Sequence, residues 1–119
     1  MAHETIEPGR IADYHAHVYY DAGSRAAAAQ LRQALEQRFE VIMGRWRDAP
    51  VGPHPQPMYQ VKFNPGQFAR IVPWLMLNRG GLTILIHPNT GNAFQDHAEH
   101  ALWLGEKLNL RLDVLRQGA

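Results

Sequence analysis

The spacing of apolar positions predicts several short strands. In four segments, β-branched and aromatic residues are dense or alternate with polar ones, as expected where successive side chains point to opposite faces of a sheet. A fifth segment, near the carboxyl end, alternates Leu with polar residues and predicts an edge strand. The predicted strands cover residues 14–20, 41–46, 58–63, 82–87 and 108–115.

Helical periodicity lies between these segments. Residues 25–39 are rich in Ala, Leu, Gln and Arg, and residues 66–79 end at the common helix stop Gly80-Gly81. A shorter third helix is expected within residues 96–105. The two predicted apolar stripes consist of Ala27, Leu31, Leu35 and Phe39, and of Phe68, Ile71, Val72, Leu75 and Met76.

The order of the elements, β-α-β-β-α-β, is typical of an α+β, ferredoxin-like sandwich, here with an extra C-terminal helix and the predicted edge strand. It predicts the strand order 4-1-3-2, with the first and third strands parallel at the centre and the fourth antiparallel to the first. Both helices would cover one face and leave the other open. We expect a single domain over residues 1–119, in which residues 1–12 form a flexible arm.

Alternation along the strands also assigns side chains to faces, and it places the more apolar set under the helices. The histidines of the first and fourth strands then fall on the open face. That face is predicted to carry His15, His17, Tyr19, Gln60, Lys62, Thr83 and His87.

The predicted topology brings distant histidines together. His15 and His17 lie near the start of the first strand, and His54 lies just before the start of the third. His87 lies at the end of the fourth strand, which runs antiparallel to the first. We therefore expect all four imidazoles at one edge of the sheet.

Composition removes several classes of function. The 119 residues include no Cys, which excludes disulfides, thiolate metal sites and a cysteine nucleophile. The net charge of +1 comes without a dense basic run, so no nucleic-acid partner is expected. No apolar stretch approaches the roughly 20 residues of a membrane span, and the N-terminus lacks an apolar secretory core. A soluble cytoplasmic protein without a membrane partner is the expectation.

The seven histidines are the candidate chemistry. At about pH 7 imidazoles are mostly neutral, and neutral imidazoles bind metals or exchange protons. The i, i+2 spacing of His15 and His17, about 7 Å along a strand, lets both reach one ion. A site with imidazoles and no thiolates suits Fe(II), Mn(II), Zn(II), Ni(II) or Cu(II). Carboxylates that could complete the site are Asp13, Asp96 and Glu99.

Further candidates have weaker signals. His54 is held between two prolines, whereas His97 and His100, i and i+3 on one predicted helical face, are ligands, a proton relay or only a polar stripe. Arg45, beside Trp46 and Arg47, is a candidate for binding a substrate carboxylate, although a solvated basic edge fits the same pattern. Tyr19 is a candidate hydrogen-bonding partner of a ligand, although tyrosines more often pack on the sheet.

Three blocks of the chain, YHAHVYYD, GPHPQPMYQVKF and LIHPNTGNAFQDHAEHALWLGE, resemble the DOPA 4,5-dioxygenase family of fungi and bacteria. The resemblance covers roughly residues 12–106. It implies a ferredoxin-like homodimer that opens a catechol ring beside its two hydroxyls, using O2 and non-haem Fe(II). In fungal pigment synthesis the substrate of this family is L-DOPA.

The resemblance also implies that the histidines of these blocks are functional. We expect His15, His17 and His87 to bind the metal, and His54 to be a fourth ligand or an acid–base group. His97 and His100 would support the ligands or relay protons. No carboxylate stands at a clear ligand position, which departs from the common 2-His-1-carboxylate arrangement of iron.

Two other functions fit the same fold. One is a non-enzymatic dimeric module that binds a small ligand or regulates a partner, because a ferredoxin-like fold does not fix a function. The other is a cofactor-free oxygenase that uses the open face as a pocket. Metal content distinguishes the cofactor-free oxygenase from the metal-dependent dioxygenase. Catechol turnover distinguishes the binding module from the metal-dependent dioxygenase.

Overall fold

Five strands form one antiparallel sheet in the computed structural model, which describes residues 4–116. The elements in chain order are a 3-10 turn Pro8–Arg10, β1 Asp13–Tyr19, α1 Arg25–Arg38, β2 Ile42–Met43, β3 Met58–Phe63, a 3-10 turn Pro65–Gln67, α2 Phe68–Asn78, β4 Ile84–Asn89, α3 Ala93–Ala98, β5 Leu102–Leu104 and α4 Asp113–Arg116.

The strand order β2-β3-β1-β4-β5 confirms the α+β, ferredoxin-like prediction and adds β5 beside β4. The prediction that the first and third strands are parallel is wrong: β1 pairs antiparallel with β3, with Tyr19 opposite Met58. The crossover through α1 leaves β1 and β2 running in the same direction. Because β3 returns antiparallel to β2 and inserts between the two, it must also run opposite to β1.

The helices α1 and α2 cover one face, as predicted, and the main core lies beneath them. The predicted stripes are shifted at two places: Ala28 is buried instead of Ala27, and Met76 is 53% exposed. The fully or nearly fully buried members of this core are Ala16, Val18, Tyr20, Ala28, Leu31, Leu35, Tyr59, Val61, Phe63, Ile71, Val72, Leu75, Leu82, Ile84, Ile86 and Leu104.

The opposite face of the sheet, called here the histidine face, carries the residues that alternation assigned to it, but it is not open. A second apolar cluster forms on it around Tyr19, Met58 and Leu85. The C-terminal segment packs against this cluster through Trp103 and Leu108. This cover excludes water from part of the face, so polar side chains there are buried.

The C-terminal segment differs from its prediction. The helix expected within residues 96–105 is α3 at 93–98 followed by β5, because Leu102 and Leu104 pair with β4 and this ladder overrides helix propensity. The strand expected at 108–115 is absent from the described residues, and α4 occupies the end of that range. Leu108 and Leu110, two of the alternating leucines, pack on the histidine face.

The N-terminal segment lies beside β4. The backbone N–H of Ala12 donates to the carbonyl of Asn89 at 2.9 Å, next to the 3-10 turn at 8–10. Residues 1–3 of the predicted arm, with His3, lie outside the described residues. Within residues 4–116, no helix is both long and apolar enough to cross a membrane.

Candidate metal centre

Five histidines lie side by side on the histidine face. Neighbouring ring centroids are between 3.9 and 6.2 Å apart. The members of this histidine cluster are His15 and His17 of β1, His54 of the proline-rich loop, His87 of β4 and His97 of α3.

The four histidines that the predicted topology brought together do lie close to one another, but on the face of the sheet and not at its edge. His15 lies directly opposite His87 in the β1–β4 ladder. The expected place of His54 was wrong, because antiparallel β3 starts at the far end of β1. The proline-rich loop returns over the face instead, and it places the His54 ring 4.1 Å from that of His17.

Polar contacts tie this loop to the body of the protein. Asp48 accepts hydrogen bonds from the Tyr20 hydroxyl at 2.5 Å and from Arg25 Nε at 3.1 Å. The Arg25 guanidinium also lies 4.1 Å from the ring centroid of Trp46, a cation–π contact. These contacts fix the loop a few residues before His54.

Two groups of three histidines have the geometry to hold a metal ion. In each group, one nitrogen per residue lies within 4.8 Å of the others. One group is His15, His17 and His87, and the other is His17, His54 and His97. No carboxylate belongs to either group in the described part of the chain, and the three predicted carboxylates have other surroundings.

Each of these carboxylates is accounted for. Asp13 accepts from Asn89 Nδ2 at 2.6 Å and lies 3.5 Å from Lys62 Nζ. Asp96 is hydrogen-bonded to Thr90, and Glu99 is exposed. The donor set is therefore all imidazole, which suits first-row divalent metals such as Fe(II) and Zn(II).

The pair His17 and His87 fits a shared ion. Their Nε2 atoms are 3.1 Å apart and buried. Two nitrogens, each bound to one ion at about 2.1 Å, come to about this separation when they occupy adjacent coordination positions. The buried Nδ1 of His17 has no hydrogen-bond partner in the described residues, so no protein contact holds this nitrogen.

Backbone carbonyls fix the tautomers of two members. A carbonyl oxygen only accepts, so His87 Nδ1–H donates to Pro88 at 2.9 Å and His97 Nδ1–H donates to Ala93 at 2.7 Å. The free Nε2 of each ring then carries a lone pair. This is the arrangement in which protein histidines bind metals or accept protons.

Burial keeps the cluster neutral. Desolvation lowers the pKa of His87 to about 3 and that of His54 to about 4. It also lowers the pKa of His17 well below its usual value, with the neighbouring imidazoles as a further cause. For His15 and His97 burial lowers the pKa as well. Neutral imidazoles with available lone pairs are the form that a metal requires.

Tyr19 lies behind His54 in the structure. Its side chain is 2% exposed, and its hydroxyl is 2.7 Å from His54 Nδ1. Its ring stacks on Trp103, and burial raises the pKa of the phenol. The hydroxyl is thus engaged with a histidine of the cluster.

The two histidines near α3 have different surroundings. Because α3 ends at Ala98, His97 and His100 do not share a helical face as predicted; His97 joins the cluster, whereas His100 Nδ1 lies 3.7 Å from Asp96. Asp96 is 2% exposed and accepts from the backbone N–H and hydroxyl of Thr90. The role of Thr90 was not predicted, and only the turn residues Thr90-Gly91-Asn92 before the helix hinted at it.

A cavity opens beside the cluster on the side of His54. It has a volume of about 240 Å³. Arg45 and Arg47 line it together with Gln60. The sequence candidate Arg45 therefore lies beside a space that borders a histidine of the cluster.

Comparison with known proteins identifies a family. The model of the Dopa 4,5-dioxygenase family matches residues 14–114. A DOPA 4,5-dioxygenase of Amanita muscaria is 31% identical over 92% of this chain, which spans 52% of that relative. An uncharacterised 21.2 kDa protein of Botryotinia fuckeliana is 33% identical over 96% of this chain and 69% of its own length.

One solved structure is very similar. It is a crystal structure of a candidate dioxygenase from Nostoc punctiforme, 56% identical to this chain, with a TM-score of 0.96. The match covers 97% of this chain and all of the other.

Proposed function

The chain belongs to the Dopa 4,5-dioxygenase family, and we propose that it is an extradiol dioxygenase that opens a catechol ring with O2 at a histidine-bound non-haem metal. The family makes a dioxygenase the starting point. The observation that carries the metal-dependent part of the proposal is the 3.1 Å separation of the buried His17 and His87 Nε2 atoms within a cluster of imidazoles.

His15, His17 and His87 are the proposed ligands. They form one of the two three-histidine groups, and His87 already presents the required lone pair. Fe(II) is the proposed metal, although an all-imidazole set would also accept other divalent ions. The chemistry that Fe(II) supplies when bound is the activation of O2 next to both catechol oxygens.

His97 is the proposed proton acceptor. Its Nδ1–H donates to Ala93, so Nε2 is free to take a proton from a catechol hydroxyl. Its ring lies 3.9 Å from that of His87, which places the base next to a ligand. His100, which contacts Asp96 outside the cluster, is at most an indirect support of this step.

The cavity lined by Arg45 is the proposed place of the substrate side chain. A guanidinium pairs well with a carboxylate, and L-DOPA carries one. The relative from Amanita muscaria bears the name of a DOPA-cleaving enzyme, which supports a catechol of this class. The chain is further proposed to form a homodimer, and light scattering at micromolar concentration tests this.

The experiment is anaerobic reconstitution with Fe(II), followed by addition of L-DOPA and of catechol in air. We expect a yellow ring-opened product, with oxygen consumed in equal amount to substrate. The variant His17→Gln should form none, because both three-histidine groups contain His17. The matched control His100→Gln removes a histidine outside the cluster and should keep most of the activity.

Two results would redirect the assignment. Turnover without any metal would favour a cofactor-free oxygenase. Absence of both metal binding and turnover with any catechol would contradict the proposal and favour a small-ligand-binding module.

A further inference from the structure

We propose that Tyr19 is a positioning residue that fixes the tautomer of His54, so that His54 is a hydrogen-bond donor to the substrate and not a metal ligand or a base. This inference rests on the proposed function for the identity of the substrate. The tautomer itself is a property of the protein alone. It excludes both roles, ligand and acid–base group, that the sequence left open for His54.

The contact between the two residues is short and enclosed. The Tyr19 hydroxyl lies 2.7 Å from His54 Nδ1, and both side chains are buried. Within residues 4–116, His54 Nδ1 is the one hydrogen-bond partner of this hydroxyl. Pro53 and Pro55 restrict the backbone on either side of His54, so the ring has little freedom to turn away.

The donor in this contact follows from counting hydrogens. A phenol has one O–H, and a buried O–H without an acceptor costs about 1–3 kcal/mol. If His54 Nδ1–H donated to the Tyr19 oxygen, the phenolic hydrogen would be left without an acceptor among the described residues. The hydroxyl therefore donates to Nδ1, and neutral His54 carries its own hydrogen on Nε2.

This tautomer is opposite to that of the two neighbours locked by carbonyls. Because a carbonyl only accepts, His87 and His97 keep their hydrogen on Nδ1 and present a lone pair at Nε2. A hydroxyl, in contrast, can donate, and Tyr19 does so. His87 and His97 therefore accept at Nε2, whereas His54 donates there.

The position of His54 gives this donor a use. Its ring packs 4.1 Å from that of the proposed ligand His17, and its side chain also lines the cavity of Arg45. A substrate bound at the metal, with its side chain in that cavity, would lie against His54. A fixed N–H at this point stabilises negative charge on a catechol oxygen without giving up its proton.

The first test reads the tautomer directly. The full chain, labelled with 15N-histidine, is loaded with diamagnetic Zn(II), and two-bond 1H–15N spectra report which ring nitrogen carries hydrogen. His54→Ala identifies the His54 signals by their absence. We expect Nε2–H for His54 in the wild type and a mixture of tautomers in Tyr19→Phe. An Nδ1–H signal for His54 in the wild type overturns the proposal.

The second test measures metal affinity by competition with a chelator. Loss of the outer partner of a metal-bound histidine typically weakens binding about 10- to 100-fold. We expect Tyr19→Phe and His54→Ala to bind Zn(II) within about 3-fold of the wild type, and His87→Gln to lose most of its affinity. A loss in His54→Ala equal to that in His87→Gln would make His54 a ligand and refute its role as donor.

Turnover gives the third readout. His54→Ala removes the charge-stabilising donor and should lower kcat on the order of 100-fold. Tyr19→Phe leaves His54 in the correct tautomer only part of the time and should lower kcat on the order of 10-fold. The control Tyr59→Phe removes another buried hydroxyl, bonded to Ala28 under the helices, and should leave kcat unchanged. If the wild type turns over no catechol, the proposed function fails, while the spectra and the affinities still decide the roles of Tyr19 and His54.

Discussion

His17 and His87 meet at their Nε2 atoms, 3.1 Å apart, although 70 positions separate them in the chain. The β1–β4 ladder creates this contact, because it places His15 opposite His87 and brings His17, on the same face, alongside. His87 Nε2 holds a lone pair, so His17 must supply the proton between them when no ion is present. A metal ion would replace that one proton.

The first prediction concerns His17, which belongs to both three-histidine groups. Substitution His17→Gln removes a ligand from either group, and we expect Fe(II) and Zn(II) affinity to fall at least about 100-fold. His15→Gln and His97→Gln, compared in the same chelator titration, report which group holds the ion. If His17→Gln bound metal as tightly as His100→Gln, neither group would be the metal site.

The second prediction concerns pH and the contact that anchors the proline-rich loop. Burial, and then the hydrogen bond to Asp48, raises the pKa of Tyr20 to about 12, whereas an unfolded tyrosine titrates near 10. The unfolded chain therefore loses this proton first as pH rises. The stability that Tyr20 contributes is fully present below pH 10 and is lost between about pH 10 and 12.

The measurement is thermal unfolding of the wild type and of Tyr20→Phe from pH 8 to pH 11.5. At pH 8 the variant should melt at a lower temperature, because it lacks the hydrogen bond to Asp48. The difference should narrow as the pH passes 10. A difference that stays constant over the whole range would mean that Tyr20 titrates alike in both states.

The sequence was sufficient for what depends on periodicity. Alternation assigned His15, His17 and His87 to one face, and the element order predicted the strand sequence, because both follow from local patterns and chain connectivity. The place of His54 could not be predicted, since it depends on the path of a loop over the sheet. That path is set by long-range contacts such as Asp48 with Arg25.

The C-terminal region shows the same limit. Leu102 and Leu104 have helix-forming neighbours, but β4 offers an unpaired edge and the ladder prevails. Tautomers are equally invisible in a sequence, because the carbonyl of Pro88 and the hydroxyl of Tyr19 act on the rings only in the folded protein. The histidines could be predicted as a group, whereas their individual roles depend on these contacts.

The third prediction concerns Asp96, a buried carboxylate that accepts two hydrogen bonds from Thr90. In Asp96→Asn the side-chain amide would place a donor against one of the Thr90 donors, or leave it without a partner. We expect the free energy of unfolding to fall by about 1–3 kcal/mol. Urea denaturation measures it.

The control for this variant is Asp113→Asn, an exposed residue in the first turn of α4, which should change stability by no more than about 0.5 kcal/mol. Asp96 also ties α3, the helix that carries His97, to Thr90 in the turn before it. The variant should therefore lose part of its turnover as well. An Asp96→Asn protein as stable as the wild type would show that its contacts with Thr90 contribute no net stability.

The last prediction concerns Arg45 and the cavity beside His54. If the guanidinium binds a substrate carboxylate, Arg45→Ala should raise KM for L-DOPA on the order of 10-fold or more and leave kcat nearly unchanged, because the lost contact is made before and during the reaction alike. Catechol and dopamine have no carboxylate, so their KM should not respond. Arg70→Ala, on α2 across the sheet, is the matched control. An equal rise of KM for L-DOPA and dopamine would assign Arg45 to the shape of the cavity, and no rise for either would place the carboxylate elsewhere, with Arg47 as the next residue to replace.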